Sequence, residues 1–391
     1  MTSIHKVAEN QLMLLQTGAA YFPQLCTDID GAQHSVYLET YIFASDETGR
    51  IVVDALLRAA ERGVVVRVLL DGYGSAEFSR AWLAELTVAK VQVQWFRREI
   101  SPFTLRRSRM RRLRRMHRKL VVLDGEVAFV GGINIINDIS SRDHFSLPRL
   151  DYAVRVQGEV AGDIHSTMRR LWGVVSWANF RRRGKEIRRL VRERVKPGAS
   201  DITLVLRDSL RHRHDIENAY LKAIDGARRE IIIANAYFLP GRAFRMALMQ
   251  AAQKGVRVML LLQGRVEYRV QHYATHALYD QLLAAGVEIY EYQPSYLHAK
   301  VAVVDGMWST VGSSNIDPFS LMLAREANLV VQDAGFAGEL RVSLLAAIAN
   351  DALRIGDGNN VSRSWWGRLV ARASYGIVRL LIGMLGYDRS I

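Results

Sequence analysis

The feature that most constrains the fold of this chain is an internal duplication. Residues 117–134 read HRKLVVLDGEVAFVGGIN and residues 298–315 read HAKVAVVDGMWSTVGSSN. His, Lys, Asp, Gly and Asn recur between them at a constant offset of 181 residues. A repeat of this length indicates two copies of one structural unit, each of which carries the same polar residues.

Each copy is preceded by the pattern of a strand, a helix and a second strand. A β-branched run, a stretch of helical period and then Gly63 or Gly255 lead into VVVRVLL in the first half and VRVMLLL in the second. Glycine between a helix and a strand is the usual helix C-cap signal. The pattern predicts two tandem α/β sandwich domains with largely buried sheets. The predicted boundaries are 1–172 for the first domain, 173–199 for a basic linker, 200–355 for the second domain and 356–391 for a C-terminal segment.

Composition narrows the class of protein. The chain has 391 residues, 49% of them hydrophobic, which suffices for two domains with separate cores. Its single cysteine, Cys26, excludes an intrachain disulfide and a cysteine-based zinc site. The first residues lack a signal-peptide pattern, and no uncharged apolar run reaches the length of about 18 residues that a membrane-spanning helix needs. We therefore expect no spanning helix.

The net charge of +14 is concentrated in two runs. Residues 106–115 are rich in arginine and lead directly into His117, and residues 181–196 form a second basic run. Such runs favour polyanions, either nucleic acid or anionic lipid, although the second run equally fits a solvated linker. Segment 356–391 mixes tryptophan, tyrosine, aliphatic residues and arginine. This mixture fits a helix in a membrane interface as well as a terminal helix packed on the protein.

The spacing within the duplicated motif predicts its geometry. His-x-Lys places two side chains on one face of a strand, and Asp-Gly is a strong hairpin signal. With a two-residue turn, Val127 lies opposite Val122 and Gly132 opposite His117. The same count in the second half places Ser313 opposite His298. Small residues beside each histidine would leave room for a substrate, with Asn134 and Asn315 just beyond.

The motif aspartates, Asp124 and Asp305, are interpreted as turn and framework residues. Asp124 lies seven residues after His117, roughly 23 Å in an extended strand, which is too far to orient that imidazole. The candidates for the orienting carboxylates are Asp151 and Glu326, each of which begins a later apolar run. A strand-end salt bridge is the alternative role for these two carboxylates.

The remaining histidines have no comparable partner in the sequence. We expect each of them to be structural or exposed: His5, His34, His144, His165, His212, His214, His272 and His276.

The pattern HxKxxxxD, followed by G-[GS]-x-N and present twice, resembles the phospholipase D superfamily. The flanking words ETYIF, VLLDGYGS, MHRKLVVLDG, IIANAYFLPG and TVGSSNIDPFSL are similar to those of bacterial cardiolipin synthases, in particular the type without amino-terminal spanning helices, type B. The resemblance extends from about residue 10 to 355. One departure is Gly132, where the second half has Ser313, so the two half-sites are not expected to be equivalent.

The resemblance implies two phospholipase D-type α/β/α sandwich domains, with mixed sheets packed around one shared central active site. It also implies a covalent phosphohistidine, with His117 as nucleophile and His298 as acid/base, and no cofactor and no metal ion. The implied catalytic residues are His117, Lys119, Asp124, His298, Lys300 and Asp305. The implied phosphate-binding residues are Asn134, Asn315 and Ser313.

The function implied by the resemblance is transfer of a phosphatidyl group between two phosphatidylglycerol molecules, giving cardiolipin and glycerol. Anionic phospholipids and a membrane surface are the expected partners, with the lipid contacted by Arg111, Arg112, Arg114 and Arg115. Nucleic acid is not expected. The expected location is peripheral, on the cytoplasmic face of the bacterial inner membrane.

Three alternatives remain open at this point. A phospholipid hydrolase would use the same double motif. A nuclease would explain the arginine runs, but aromatic residues that stack on bases are not interleaved with them. A non-catalytic scaffold is disfavoured because both motifs are intact. The oligomeric state and the use of phosphatidylethanolamine are not predicted.

Overall fold

The computed structural model describes residues 3–97, 115–139, 147–178, 201–208, 212–267, 269–317, 324–356 and 376. The strands of the first half are β1 (Ile4–Val7), β2 (Asn10–Gln16), β3 (Ser35–Thr40), β4 (Val65–Asp71), β5 (Gln92–Phe96), β6 (Arg115–Met116), β7 (Leu120–Leu123), β8 (Val127–Gly131) and β9 (Tyr152–Gln157). Its helices are α1 (Thr17–Gly31), α2 (Glu47–Glu61), α3 (Arg80–Val88) and α4 (Glu159–Ala178).

The second half repeats this order of elements. Its strands are β10 (Ile202–Arg207), β11 (Glu230–Asn235), β12 (Arg257–Gln263), β13 (Glu288–Tyr292), β14 (Lys300–Val304), β15 (Trp308–Gly312), β16 (Ala324–Gln332) and β17 (Ala352–Ile355). Its helices are α5 (Asp215–Gly226), α6 (Arg242–Gln253), α7 (Arg269–His276), α8 (Tyr279–Ala284) and α9 (Ala334–Asp351).

Both halves form a mixed sheet with the same topology. The first sheet has the order β1-β2-β9-β8-β7-β3-β4-β5, and the second has β10-β16-β15-β14-β11-β12-β13-β17. In each sheet three consecutive strands (β3, β4 and β5, or β11, β12 and β13) pair in parallel, and the other pairs along these two strand orders are antiparallel. The short strand β6 of the first half also pairs in parallel with β16. The prediction of a duplicated α/β fold is confirmed. The sheets differ at their edges, where β1 extends one and β17 the other.

The strand–helix–strand units form for the reasons that the sequence suggested. Asp46 caps α2 by accepting a hydrogen bond from the backbone of Gly49. Gly63 and Gly255 have φ angles of 88° and 89°, in the left-handed region that ends a helix before a strand.

The hydrophobic side chains form two outer cores and one central core. Helices α1, α2 and α3 pack on the outer face of the first sheet, and α5, α6, α7 and α8 pack on the outer face of the second. The inner faces of both sheets share a single core with α4 and α9. The two halves therefore pack face to face, as predicted, and this shared core fixes their relative position.

Two of the predicted details are placed differently by the structure. Helix α4 continues to Ala178, past the boundary expected at residue 172. In the β7–β8 hairpin, Asp124 and Gly125 have positive φ angles, but pairing begins at Leu123 opposite Val127. The expected pairing of Val127 with Val122 is therefore wrong by one residue, because Glu126 is an additional residue in the turn.

Most of the linker, in residues 179–200, and nearly all of the C-terminal segment, in residues 357–375 and 377–391, lie outside the described part of the chain. Within the described part, none of the helices combines the length and the apolar character needed to cross a bilayer.

Candidate active site

The two motif histidines lie where the halves meet, and each is held by backbone of the other half. The backbone N–H of His117 donates to the carbonyl of Arg325 at 3.0 Å, beside a short parallel pairing of β6 with β16. The N–H of His298 donates to the carbonyl of Leu150 at 2.9 Å. The backbone of each domain therefore forms a hydrogen bond with the motif histidine of the other domain.

The residue after each of those carbonyls is a carboxylate that contacts the histidine. Nδ1 of His117 lies 3.0 Å from Oε1 of Glu326, and Nδ1 of His298 lies 2.6 Å from Oδ2 of Asp151. The two candidate carboxylates therefore lie beside the imidazoles, and each contacts the histidine of the opposite half. Occupation of Nδ1 leaves Nε2 of each ring as the reactive nitrogen.

The motif lysines are buried beside these rings. Nζ of Lys119 donates to the carbonyl of His117 at 2.7 Å, and Nζ of Lys300 donates to the carbonyl of His298. Burial lowers the pKa of Lys119 to about 7 and that of Lys300 to about 8. The charges of Glu326 and Asp151 oppose this effect on both amines, and a phosphate anion held by the two lysines would oppose it further.

Burial also sets the protonation of the imidazoles. It lowers the pKa of His117, an effect opposed by the charge of Glu326 and reinforced by Lys119 and Lys300. The pKa of His298 is lowered further below its usual value by burial, with added repulsion from Lys300 and Lys119. Each lysine therefore acts on both histidines, and the four groups form a single electrostatic unit.

Asp151 itself has a perturbed pKa. Burial raises it to about 6, although Lys300 and the backbone N–H of Tyr152 favour the charged form. Burial thus disfavours the charged form of Asp151 as well as that of His298.

The motif aspartates face away from this centre. The carboxylate of Asp124 accepts hydrogen bonds from the backbone of Gln33, His34 and Ser35 at 2.6–2.8 Å. Asp305 accepts them from the same positions of the second half, Arg228, Arg229 and Glu230. Both carboxylates tie the β7–β8 or β14–β15 turn to the strand beside it, and these hydrogen bonds lower their pKa values against the opposing effect of burial.

The three residues expected to bind phosphate are not divided between the two half-sites as the sequence predicted. Asn134 and Asn315 are buried, and Oδ1 of Asn134 accepts from the backbone of Ile42. Ser313 was expected opposite His298, but its carbonyl lies 3.2 Å from Nδ1 of His117. Its hydroxyl donates to Glu326 at 2.6 Å. Ser313 therefore belongs to the His117 half-site, and its hydroxyl positions Glu326 in this structure.

Two supporting residues were missed by the sequence reasoning. The ring of Tyr41 lies 4.8 Å from that of His117 and 5.4 Å from Nζ of Lys119, measured to ring centres. Asp71 accepts from the backbone of Met116 at 2.8 Å, just before His117. Tyr41 directly follows β3 and Asp71 is the last residue of β4, so both lie at the carboxyl ends of parallel strands. Binding sites of α/β sheets form at these ends, and this position in the sequence could have identified both residues.

Of the arginines expected to contact lipid, Arg111, Arg112 and Arg114 lie outside the described residues. Arg115 begins β6, and its guanidinium lies over the ring of Tyr73 at 4.8 Å. Among the described residues, no group of three or more histidine, cysteine, aspartate and glutamate side chains is arranged to hold a metal ion.

Comparisons with known proteins agree with this geometry. The profile of the family described as "Cardiolipin synthase, PLD-like domain" matches residues 25–172 and 220–346. Cardiolipin synthase B of Escherichia coli K12 is 38% identical over 392 aligned residues, which cover 97% of this chain and 90% of that protein. Cardiolipin synthase B of Salmonella typhimurium is 40% identical over 388, with the same coverage.

Among solved structures, phosphatidylserine synthase of Haemophilus influenzae superposes with a TM-score of 0.68 at 14% identity, covering 99% of this chain and 96% of that one. This match shows a common fold. The length of the sequence matches and the duplicated site together show that the chain belongs to the cardiolipin synthase family of phospholipase D-like enzymes.

Proposed function

We propose that the protein transfers a phosphatidyl group from one phosphatidylglycerol to another, giving cardiolipin and glycerol through a phosphohistidine on His117. The observation that carries this proposal is the pairing of two half-buried imidazoles, each held at Nδ1 by a carboxylate from the opposite half. One ring can attack phosphorus while the other moves the proton.

In the first step, Nε2 of neutral His117 attacks phosphorus. The N–P bond forms as the bond from phosphorus to the glycerol oxygen breaks, and protonated His298 gives its proton to that oxygen. The lysines lower the pKa of His298 in the free site, after the larger effect of burial. A phosphodiester anion between them offsets their charge, so substrate binding favours the protonated acid.

In the second step, neutral His298 takes the proton of the glycerol hydroxyl of a second phosphatidylglycerol. The O–P bond forms, the N–P bond breaks, and His117 is released. Transfer to a lipid instead of water requires that the hydroxyl be held in line, where positioning supplies effective molarities of about 10⁵ M or more. The burial of Lys119 and Lys300 and the partial burial of both imidazoles support such shielding.

The reaction is proposed to need no metal ion, because the two lysines supply the positive charge that neutralises the equatorial oxygens. Activity should survive exhaustive treatment with EDTA. Complete loss of activity, restored by a divalent cation, would replace this mechanism with a metal-dependent one.

We further propose that the enzyme works peripherally at an anionic membrane, on the cytoplasmic face. The net charge of +14 and the arginines of residues 106–115 support this, since basic residues near an anionic surface contribute about 1 kcal/mol each. Replacing Arg111, Arg112 and Arg114 by glutamine should weaken binding to phosphatidylglycerol vesicles and flatten its salt dependence. Unchanged binding would assign the membrane contact to another segment.

The decisive experiment incubates purified protein with vesicles of labelled phosphatidylglycerol and resolves the products. Cardiolipin in excess over phosphatidic acid supports the transferase. Phosphatidic acid as the main product would identify a hydrolase, and cleavage of single-stranded DNA without lipid turnover would identify a nuclease.

A further inference from the structure

The two half-sites differ in what fills the space beside the histidine. The β-bridges Phe43–Ile135 and Phe238–Ile316 occupy equivalent places in the two halves, so Tyr41 and Ala236 are equivalent positions. The ring of Tyr41 packs against His117. Ala236 carries only a methyl group, and a cavity lies next to it.

This cavity adjoins the second motif directly. The backbone N–H of Ala236 donates to the carbonyl of Ala299, between His298 and Lys300. Gln263, also in its wall, accepts from the N–H of Leu297 at 3.1 Å. The cavity encloses about 360 Å³ of empty space, including its opening to solvent. The part that water-sized groups can occupy is only about 30 Å³, room for about two of them, which suits the hydroxyl groups of a small alcohol and excludes an acyl chain.

The polar groups of the wall are arranged by contacts with one another. Tyr237 donates to the carboxylate of Glu267. His276 and Tyr279 also line the cavity, and both contact Glu291, which is not part of the lining. Glu291 lies 2.9 Å from His276 and accepts from the hydroxyl of Tyr279 at 3.0 Å, which fixes both side chains. Burial lowers the pKa of Lys300, and the charge of Glu267 is among those that oppose this effect, so Glu267 lies within electrostatic reach of the catalytic lysine.

We propose that this cavity is the subsite for the small alcohol of the reaction, a neutral vicinal diol such as the glycerol headgroup, with Glu267 accepting hydrogen bonds from its hydroxyls. The inference rests on the proposed function, in which His298 exchanges a proton with that alcohol. Among the groups in the wall, the charge of Glu267 is balanced by that of Arg265, so a neutral diol fits better than an ammonium group. In the first half the position of Ala236 is taken by Tyr41, whose ring packs against His117.

The test measures how the phosphoenzyme divides between acceptors. Phosphatidyl-p-nitrophenol is the donor, because its aryl leaving group makes no use of a diol subsite, and free glycerol competes with water. Total turnover is the release of nitrophenolate. The ratio of phosphatidylglycerol to phosphatidic acid, followed against glycerol concentration, reports the subsite.

The variants are Glu267→Gln, which removes the charge but keeps the shape, and Ala236→Tyr, which fills the cavity as Tyr41 fills the first half. Glu61→Gln, at the exposed end of α2, is the matched charge control. We expect Glu267→Gln and Ala236→Tyr each to lower the product ratio by about 10-fold and to raise the glycerol concentration for half-saturation, as loss of a charge-assisted hydrogen bond predicts. The control should leave the ratio unchanged.

An unchanged ratio in both test variants overturns the proposal, as does a fall in nitrophenolate release with no change in the ratio, which would assign Glu267 to the chemical step. The proposed function fails separately. If the unaltered protein makes no cardiolipin from phosphatidylglycerol vesicles but the ratio still depends on Glu267 and Ala236, the subsite stands and the reaction must be reassigned.

Discussion

The half-site of His117 and the half-site of His298 carry the same reactive groups on different supports. His117 contacts Glu326, whose carboxylate also accepts from the hydroxyl of Ser313. His298 contacts the shorter Asp151, and Gly132 stands at the position of Ser313. A Cβ atom on Gly132 would lie 2.3 Å from Oδ1 of Asp151, so a serine there would displace the carboxylate. Ser313 can therefore donate a hydrogen bond to Glu326, whereas the space beside Asp151 accepts only glycine.

The layer beneath the histidines has diverged further. Arg118, between His117 and Lys119, is buried and lies 2.7 Å from Glu39. The equivalent residues of the second half, by strand pairing, are Ala299 and Ala234. The two halves therefore share the groups that would contact the phosphate. They differ in the layer beneath the histidines, where the first half has a buried ion pair and the second half has two methyl groups.

The largest effect should come from removing either histidine. His117→Ala should lose turnover by on the order of 10⁴-fold or more, and it should form no covalent intermediate with any donor. His298→Ala should lose comparable turnover of phosphatidylglycerol, yet still become labelled by phosphatidyl-p-nitrophenol, since that leaving group needs no acid. Mass spectrometry of the protein distinguishes the two variants. Labelling of His117→Ala alone would reverse the roles of the two half-sites.

Replacing Glu326 or Asp151 should distinguish the two half-sites in the same way as replacing the histidines, with a smaller loss of turnover. Loss of a carboxylate that fixes a catalytic imidazole costs up to about 10⁴-fold in the best-studied hydrolases. We expect Glu326→Gln to slow attack by His117 on both donors. Asp151→Asn should slow turnover of phosphatidylglycerol but leave most of the rate of the first-turnover burst of nitrophenolate from the aryl donor, because the second step of either donor still needs His298 as base. Equal losses on both donors for both variants would show that the half-sites act symmetrically.

The sequence made the carboxylates identifiable but not their partners. Asp151 directly precedes β9 and Glu326 is the third residue of β16, so both lie at the start of a buried strand that follows a motif. Distance along the chain excluded Asp124 as the residue that orients His117. The crossing of each carboxylate to the opposite half depends on how the domains pack, which no local pattern encodes. The resemblance indicated one shared site but not which residues of one half would contact the other.

The free energy of unfolding should depend on the buried pair of Arg118 and Glu39 beneath the histidine of the first half. Arg118→Ala should destabilise the protein by about 3–5 kcal/mol, because it leaves Glu39 buried without its partner. The double variant Glu39→Ala/Arg118→Ala reproduces the alanines of the second half and should recover part of that loss. Denaturant unfolding of the single and double variants measures the coupling, with Asp54→Ala on the exposed face of α2 as a control for loss of a partly exposed ion pair. Additive effects of the two changes would contradict the coupling.

The register of the motif hairpins shows another limit of sequence reasoning. Asp-Gly marks both turns correctly, and both aspartates adopt positive φ angles. The count of residues nevertheless fails by one, since Glu126 lies between the turn and the first pair. The His-x-Lys spacing implies that Arg118 faces away from His117 and Lys119. Its burial against Glu39 could not be read from the motif, because the partner lies on another strand.

The smallest predicted effect is a fall in kcat/KM at alkaline pH, which arises because the buried lysines lose their charge. Burial lowers the pKa of Lys119 to about 7 and that of Lys300 to about 8, so both lose their charge as the pH rises through these values. The charged amines bind the phosphodiester. The value of kcat/KM, which reports the free enzyme, should therefore begin to fall near pH 7 and fall more steeply above about pH 8, by about tenfold per pH unit for each lysine that must be charged.

The limb in kcat should lie at higher pH, because a bound phosphate anion stabilises both ammonium groups and raises their pKa values. A water-soluble phosphodiester avoids changes in vesicle binding during the titration. Like charges also make the two half-sites interdependent, since the charge of Lys300 lowers the pKa of Lys119 in addition to burial. Lys300→Met should accordingly shift the remaining limb to higher pH as well as reduce the rate. A kcat/KM that stays constant between pH 7 and about pH 9 would show that the lysines keep their charge in the free site, as groups with ordinary pKa values near 10.4 would.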